Sequence, residues 1–95
     1  MNAKVTNLTS PRTGNPVANQ FEITTDKYYI FQSYATIIAK IERGFQGKTI
    51  LDKNALDYSK TTLKYLKQFL GTDKSKKELE KDIVQGIYKT ANLNK

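Results

Sequence analysis

The segment from Asp57 to Gly71 carries the strongest pattern in the chain. On a helix that turns about 100° per residue, its side chains separate into two faces. The largely apolar face comprises Tyr58, Thr62, Leu63, Tyr65, Leu66, Phe69 and Leu70. The opposite face carries Lys60, Lys64 and Lys67. This pattern predicts a helix that packs through its apolar side and presents ammonium groups to the solvent, which favours a binding protein over a catalyst.

The net charge of the chain is consistent with a binding role. Sixteen Lys and Arg residues against nine Asp and Glu give +7 at neutral pH. A basic surface attracts phosphates, acidic proteins or anionic membranes. An ordinary solvated surface explains the same excess, because nearly all of the basic residues are lysines, as is typical of AT-rich coding sequence. Composition alone therefore leaves both interpretations open.

The residues that the chain lacks exclude several kinds of chemistry. It contains no cysteine and no histidine. Disulfides, thiolate nucleophiles, cysteine zinc sites and imidazole bases are thus excluded. No window approaches the roughly 20 apolar residues of a membrane span, and no signal-peptide core follows the first residues. We expect a soluble cytoplasmic protein that is not an enzyme and has no cofactor or metal site.

Alternation in the N-terminal half predicts strands. The mixed run from Val5 to Thr9 fits an edge strand, and the turn-rich run from Ser10 to Pro16 follows it. Residues Val17 to Thr25 alternate as a half-buried strand does. The aromatic run from Tyr28 to Gln32 suits a central strand, and residues 48–51 are expected to return to the sheet.

Two helices are predicted to follow the central strand. The first has Ser33 as its N-cap and Gly44 at its end. The second starts between residues 54 and 59 and ends at Gly71. The apolar positions that give the first its helical spacing are Tyr34, Ile37, Ile38 and Ile41.

A third helix opens with a capping box formed by Ser75 and Glu78. Residues 92–95 are expected to be a frayed tail. Together these elements predict a single α+β domain over residues 1–95. Its small antiparallel sheet, of about three strands in the N-terminal half, is expected to be packed on one face by two or three helices.

The leading candidate for a functional surface is the lysine row, which we define as Lys60, Lys64 and Lys67. Lysines that neutralise phosphates release counterions, so a few of them give affinity without reading base sequence. Ser59 at the helix start offers a hydroxyl to a phosphate, and Arg12 in the first loop offers a further basic contact. A solvated helix face capped by Ser59 is the structural alternative. Further lysines that could extend the row are Lys53, Lys74, Lys76 and Lys77.

The aromatic strand offers a second candidate surface. A base stacked on an aromatic ring gains about 1–3 kcal/mol, and Tyr28 and Tyr29 are the residues that could provide such a ring. Alternation places Tyr29 and Phe31 on one side of the strand and Tyr28 and Ile30 on the other. If helices cover one side only, one of these pairs is exposed. The alternative is an ordinary core strand.

Three segments resemble a group of small uncharacterised proteins of phages and plasmids. They are Asn7–Phe21, Tyr29–Ile41 and Leu51–Gly71. The resemblance implies a mobile-element protein in the cytoplasm of a bacterial host, and it gives no residue a role. It leaves two hypotheses: a nucleic-acid-binding accessory protein, or a protein-binding inhibitor of a host defence system such as an anti-CRISPR. The expected partner is thus nucleic acid, DNA rather than RNA, or a host protein, with no membrane and with a monomer or homodimer.

Overall fold

The computed structural model describes residues 3–44 and 47–94. The described residues form six strands and two helices. Their bounds, in chain order, are β1 Lys4–Thr9, β2 Pro16–Thr24, β3 Tyr28–Ser33, β4 Thr36–Glu42, β5 Thr49–Asp52, α1 Lys60–Leu70, α2 Lys76–Val84 and β6 Lys89–Ala91.

All six strands belong to one sheet, and their spatial order follows their order in the chain. Neighbouring strands from β1 to β5 are antiparallel. The last pair, β5 and β6, is parallel. Parallel neighbours need a crossover connection, and both helices lie in the segment that joins these two strands.

Local signals set the ends of both helices. The Thr62 amide donates to the Ser59 side chain at 3.0 Å, which caps the start of α1. Gly71 ends α1 in the left-handed region with φ 71°, where glycine pays no Cβ penalty. At α2, Ser75 and Glu78 form the reciprocal capping box. The predictions for these two helices are confirmed.

One hydrophobic core lies between the helices and one face of the sheet. Phe31 of β3 is fully buried and stacks on Phe69 of α1 with ring centroids 5.8 Å apart. Beside this pair, the buried hydroxyls of Ser33 and Thr62 are 3.0 Å apart. The buried members of the core are Phe31, Ile38, Ala39, Leu51, Ala55, Leu56, Tyr65, Leu66 and Leu79. We call the sheet face that contacts this core the helix-covered face.

The predicted fold is wrong in the size of the sheet. The four segments that were expected to form strands all do so. The prediction had about three antiparallel strands and up to three helices, whereas the described residues form a six-stranded mixed sheet with two short helices. The predicted helix from Ser33 to Gly44 is strand β4. The three residues of β6 are too few to show a strand pattern in the sequence. They pair with β5 after the crossover that contains both helices.

A β-bulge explains the wrong helix prediction. Ala39 pairs with Phe31 and Ile37 pairs with Gln32, so Ile38 is an extra residue in β4. The bulge interrupts the two-residue period of the strand. Consequently the spacing of Ile37, Ile38 and Ile41 imitates a helical face, although the density of β-branched residues is typical of a strand.

The C-terminal residues are connected to the sheet through Asp52. The Asp52 side chain is 3% exposed and accepts four hydrogen bonds. Leu93 N and Asn94 Nδ2 donate to Oδ1 at 3.0 and 3.2 Å, and Tyr58 OH and Asn54 N donate to Oδ2 at 2.7 and 3.2 Å. Asn94 also bonds the backbone N–H and C=O of Ile37 at 2.6 and 2.9 Å. Residues 93 and 94 of the predicted frayed tail thus hold these contacts, and residue 95 lies outside the described residues.

Candidate nucleic-acid interface

The lysine row lies along the side of α1 that faces away from the core. The three residues occupy positions i, i+4 and i+7 of the helix, whereas Thr62, Tyr65 and Leu66 are buried on its other side. Lys60 and Lys64 are exposed and Lys67 is partly exposed. Within the described chain, no carboxylate forms a salt bridge with any of the three. Lys64 Nζ lies 5.4 Å from the Tyr65 ring centroid, and the row presents its charge on the outer side of the helix.

The length of the row suits contacts with more than one phosphate. At 1.5 Å per residue, the seven-residue separation of Lys60 and Lys67 corresponds to about 10.5 Å along the helix axis. Successive phosphates of one strand of duplex DNA advance by about 3.4 Å. For α1 lying along the duplex axis, the row is thus about as long as three base-pair steps.

The N-terminus of α1 adds positive potential to this row. Its first turn contains no acidic residue, and Lys60 occupies the first helical position. Because the helix dipole places partial positive charge at this end, a lysine here costs stability where a carboxylate would add it. The hydroxyl of Ser59 is engaged locally, since it donates to Thr62 Oγ1 at 3.0 Å and accepts from the Thr62 amide. Ser59 therefore acts as the helix cap in this structure.

Two lysines that could extend the row are held by carboxylates. Lys74 Nζ lies 2.6 Å from Asp82 Oδ2, and Lys76 Nζ lies 2.9 Å from Asp57 Oδ1. These hydrogen bonds raise the pKa of both ammonium groups above the ordinary lysine value. Lys77 is exposed on α2. Neither Lys74 nor Lys76 offers a free charge comparable with those of the row.

Arg12 and Lys53 lie towards opposite edges of the sheet, after β1 and after β5 respectively. Gln68 Nε2 of α1 donates to Thr9 O at 2.9 Å, which brings the end of β1 and the loop that holds Arg12 to the C-terminal half of α1. Lys53 follows β5, and its amide donates to Ala91 O at 2.9 Å. The loop that holds Arg12 therefore starts near the C-terminal half of α1, whereas Lys53 lies beside β6.

The two candidate stacking residues point to opposite faces of the sheet. Tyr29 shares its face with Phe31 but lies beyond the core, 38% exposed, with the Arg43 guanidinium carbon 5.1 Å from its ring centroid. Tyr28 lies on the other face, with Lys40 Nζ 5.1 Å from its ring centroid. The two rings therefore cannot form one stacking platform. The contacts of Lys40 and Arg43 with these rings were not predicted, because both cations lie in the segment that was expected to be a helix.

The comparisons with known proteins give a family and no function. The sequence model of DUF8033, a family of unknown function, matches residues 3–86. The chain belongs to the DUF8033 family. Searches of curated proteins and of solved structures found no match. In this DUF8033 member, none of the described helices has the length and apolar character needed to cross a membrane.

The chemistry available to this DUF8033 surface is electrostatic. Three ammonium groups on one helix side can neutralise phosphates in a salt-dependent way. Lysine lacks the planar fork with which arginine reads a guanine edge, so the row is suited to contact the backbone rather than to select bases.

Proposed function

We propose that this protein binds nucleic acid, DNA in the first place, by placing the lysine row against the phosphate backbone. The observation that carries the proposal is that Lys60, Lys64 and Lys67 share one side of α1 with no carboxylate paired to them among the described residues. These three charges remain available to a polyanion.

The helix terminus supports the same proposal. Lys60 adds charge to the positive end of the α1 dipole, and an anion beside it would stabilise both. Arg12 adds a cation near the C-terminal half of the helix through the contact between Gln68 and Thr9. We further propose that the setting is the cytoplasm of a bacterial host that carries a phage or plasmid, on the basis of the sequence resemblance.

We expect the triple variant Lys60→Gln, Lys64→Gln, Lys67→Gln to bind DNA at least tenfold more weakly than the unmodified chain at about 50 mM salt. The reason is the loss of three phosphate contacts and of the counterions that they release. The measurement is fluorescence anisotropy with single-stranded and duplex DNA at several salt concentrations. The slope of log affinity against log salt should fall by about 2–3 on duplex DNA.

The matched control removes the same charge from elsewhere. Lys4, Lys48 and Lys81 are exposed, and none forms a salt bridge within the described chain. Replacing these three with Gln should reduce affinity only through net charge, by about threefold or less. Equal losses for the two triple variants, or no binding by the unmodified chain at low salt, would refute the proposal.

A further inference from the structure

The face of the sheet opposite the core has no helix on it within residues 3–44 and 47–94. Both helices contribute side chains to the single core that contacts the helix-covered face. Along β3, Phe31 and Ser33 point into that core, since they contact Phe69 and Thr62 of α1. Strand alternation directs Tyr28 and Ile30 the other way. We call this second side of the sheet the open face.

The open face carries seven apolar side chains, five of them on β1 to β3. One row of register partners crosses all six strands and consists of Val5, Ile23, Ile30, Lys40, Ile50 and Lys89. Neighbouring rows add Phe21, Tyr28 and Ile37. None of these apolar side chains belongs to the core or packs against it among the described residues. Val5 is 59% exposed and the others are partly exposed.

Such a face is unusual for an isolated sheet. An antiparallel sheet with one solvated side normally places polar residues there, and a contiguous apolar patch on a monomer usually marks an interaction site. Here four of the six residues in the central row are aliphatic. Sheets stack face to face at about 10 Å when both faces are apolar, so a second sheet is a suitable cover.

Charge distinguishes among the partners that could cover this face. Within the strands, the charged side chains on this side of the sheet are the accessible Lys40, Lys89 and Glu42, together with Asp52, whose carboxylate is buried among four hydrogen-bond donors. The open face is thus nearly neutral in a protein of net charge +7. A polyanion gains little from a nearly neutral face. A second copy of this positively charged protein is repelled by most of its surface, but it can approach through the open face.

The polar positions are also self-complementary. Lys40 and Glu42 lie two residues apart on β4 and therefore point to the same side. In a two-fold dimer every contact occurs twice, so Lys40 of each copy can pair with Glu42 of the other. We propose that the open face is a homodimer interface, in which two sheets stack and the lysine rows of both copies face outward.

The experiment is sedimentation equilibrium of the full chain over a range of concentrations. The unmodified protein should reach twice the chain mass of 10.8 kDa. The double variant Ile23→Thr, Ile30→Thr keeps β-branched residues in the strands, so it should fold but remain monomeric. The control Val84→Lys changes a side chain that is 86% exposed on α2 and should leave the dimer intact.

A charge exchange tests the pairing itself. Lys40→Glu and Glu42→Lys should each weaken the dimer at least tenfold, because like charges then face each other. Mixing the two variants should restore a dimer, since opposite charges then meet at both positions. The Ile23→Thr, Ile30→Thr change could break the dimer while the charge variants leave it unchanged. This result would support the open face as the interface and overturn the Lys40–Glu42 pairing.

Two results would overturn the interface. One is an unmodified chain that stays monomeric at every concentration. The other is a dimer that survives the Ile23→Thr, Ile30→Thr change. If the unmodified chain is monomeric and this change weakens DNA binding, the open face is a nucleic-acid surface instead. The lysine-row variants provide an independent reading, since they should lose DNA binding and keep the dimer.

Discussion

Replacing Phe31 with alanine is expected to lower the free energy of unfolding by about 3–5 kcal/mol. The ring is fully buried on a central strand, and it stacks on Phe69 with an interplanar angle of 28°. Its removal loses the transfer free energy of the ring, leaves a cavity and breaks the main aromatic contact between β3 and α1. Since small domains are stable by only about 5–15 kcal/mol, this is a large share of the total.

Urea unfolding followed by circular dichroism measures this effect. The control is Tyr29→Ala, which removes an exposed aromatic ring from the same strand and the same side and should cost far less. If Phe31→Ala does not fold, Phe31→Leu should still fold and lose about 1–2 kcal/mol. Equal losses at positions 29 and 31 would contradict the location of the core.

The parts of the fold that the sequence predicted correctly depend on signals a few residues apart. Ser59 and Gly71 delimit α1, and Ser75 with Glu78 starts α2. Each of these signals lies within about one turn of the helix end that it defines. The buried side of α1 was also predicted correctly. An amphipathic helix buries its apolar side whichever element it packs against.

The errors arose where distant residues decide the structure. The bulge at Ile38 depends on its register with Phe31, and β6 exists because the crossover returns it to β5. Alternation alone could not show which face of β3 the helices cover. Alternation predicted that two residues on the same side of β3 are either both covered or both exposed. In the structure Phe31 is buried, whereas Tyr29 on the same side is 38% exposed.

The candidate site shows the same division. The spacing of Lys60, Lys64 and Lys67 predicted their common side of α1, because a helix fixes it. The salt bridges of Lys74 and Lys76 could not be predicted, because their partners Asp82 and Asp57 are 8 and 19 positions away. Tertiary pairing therefore removes Lys74 and Lys76 from the basic segment, and it leaves the lysine row, Lys53 and Lys77 without a salt bridge among the described residues.

Asp52 is the second position at which a single change should have a large effect. Each of its carboxylate oxygens accepts two hydrogen bonds, from donors in two separate segments of the chain, residues 54–58 and 93–94. In Asp52→Asn one oxygen becomes an NH2 group, so two of the four donors lose their acceptor in either amide orientation. We expect a loss of about 2–4 kcal/mol. Asp57→Asn is the control, because its salt bridge is exposed and should contribute less than about 1 kcal/mol.

The pH dependence of stability tests the same carboxylate. Burial alone would raise the pKa of Asp52, but hydrogen bonds from Tyr58, Leu93, Asn54 and Asn94 outweigh it and lower the pKa below the ordinary value. The unfolded chain therefore takes up this proton first as the pH falls. The stabilisation is complete above the unfolded pKa of about 3.9 and is lost as the pH falls through the lower folded value.

The difference in unfolding free energy between the unmodified chain and Asp52→Asn should accordingly be constant near neutral pH and shrink in acid. Urea titrations of both proteins in steps from about pH 7 to about pH 2.5 measure it. The Asp57→Asn variant should track the unmodified chain more closely throughout. A difference for Asp52→Asn that stays the same to the lowest pH would show that the four hydrogen bonds do not favour the ionised carboxylate.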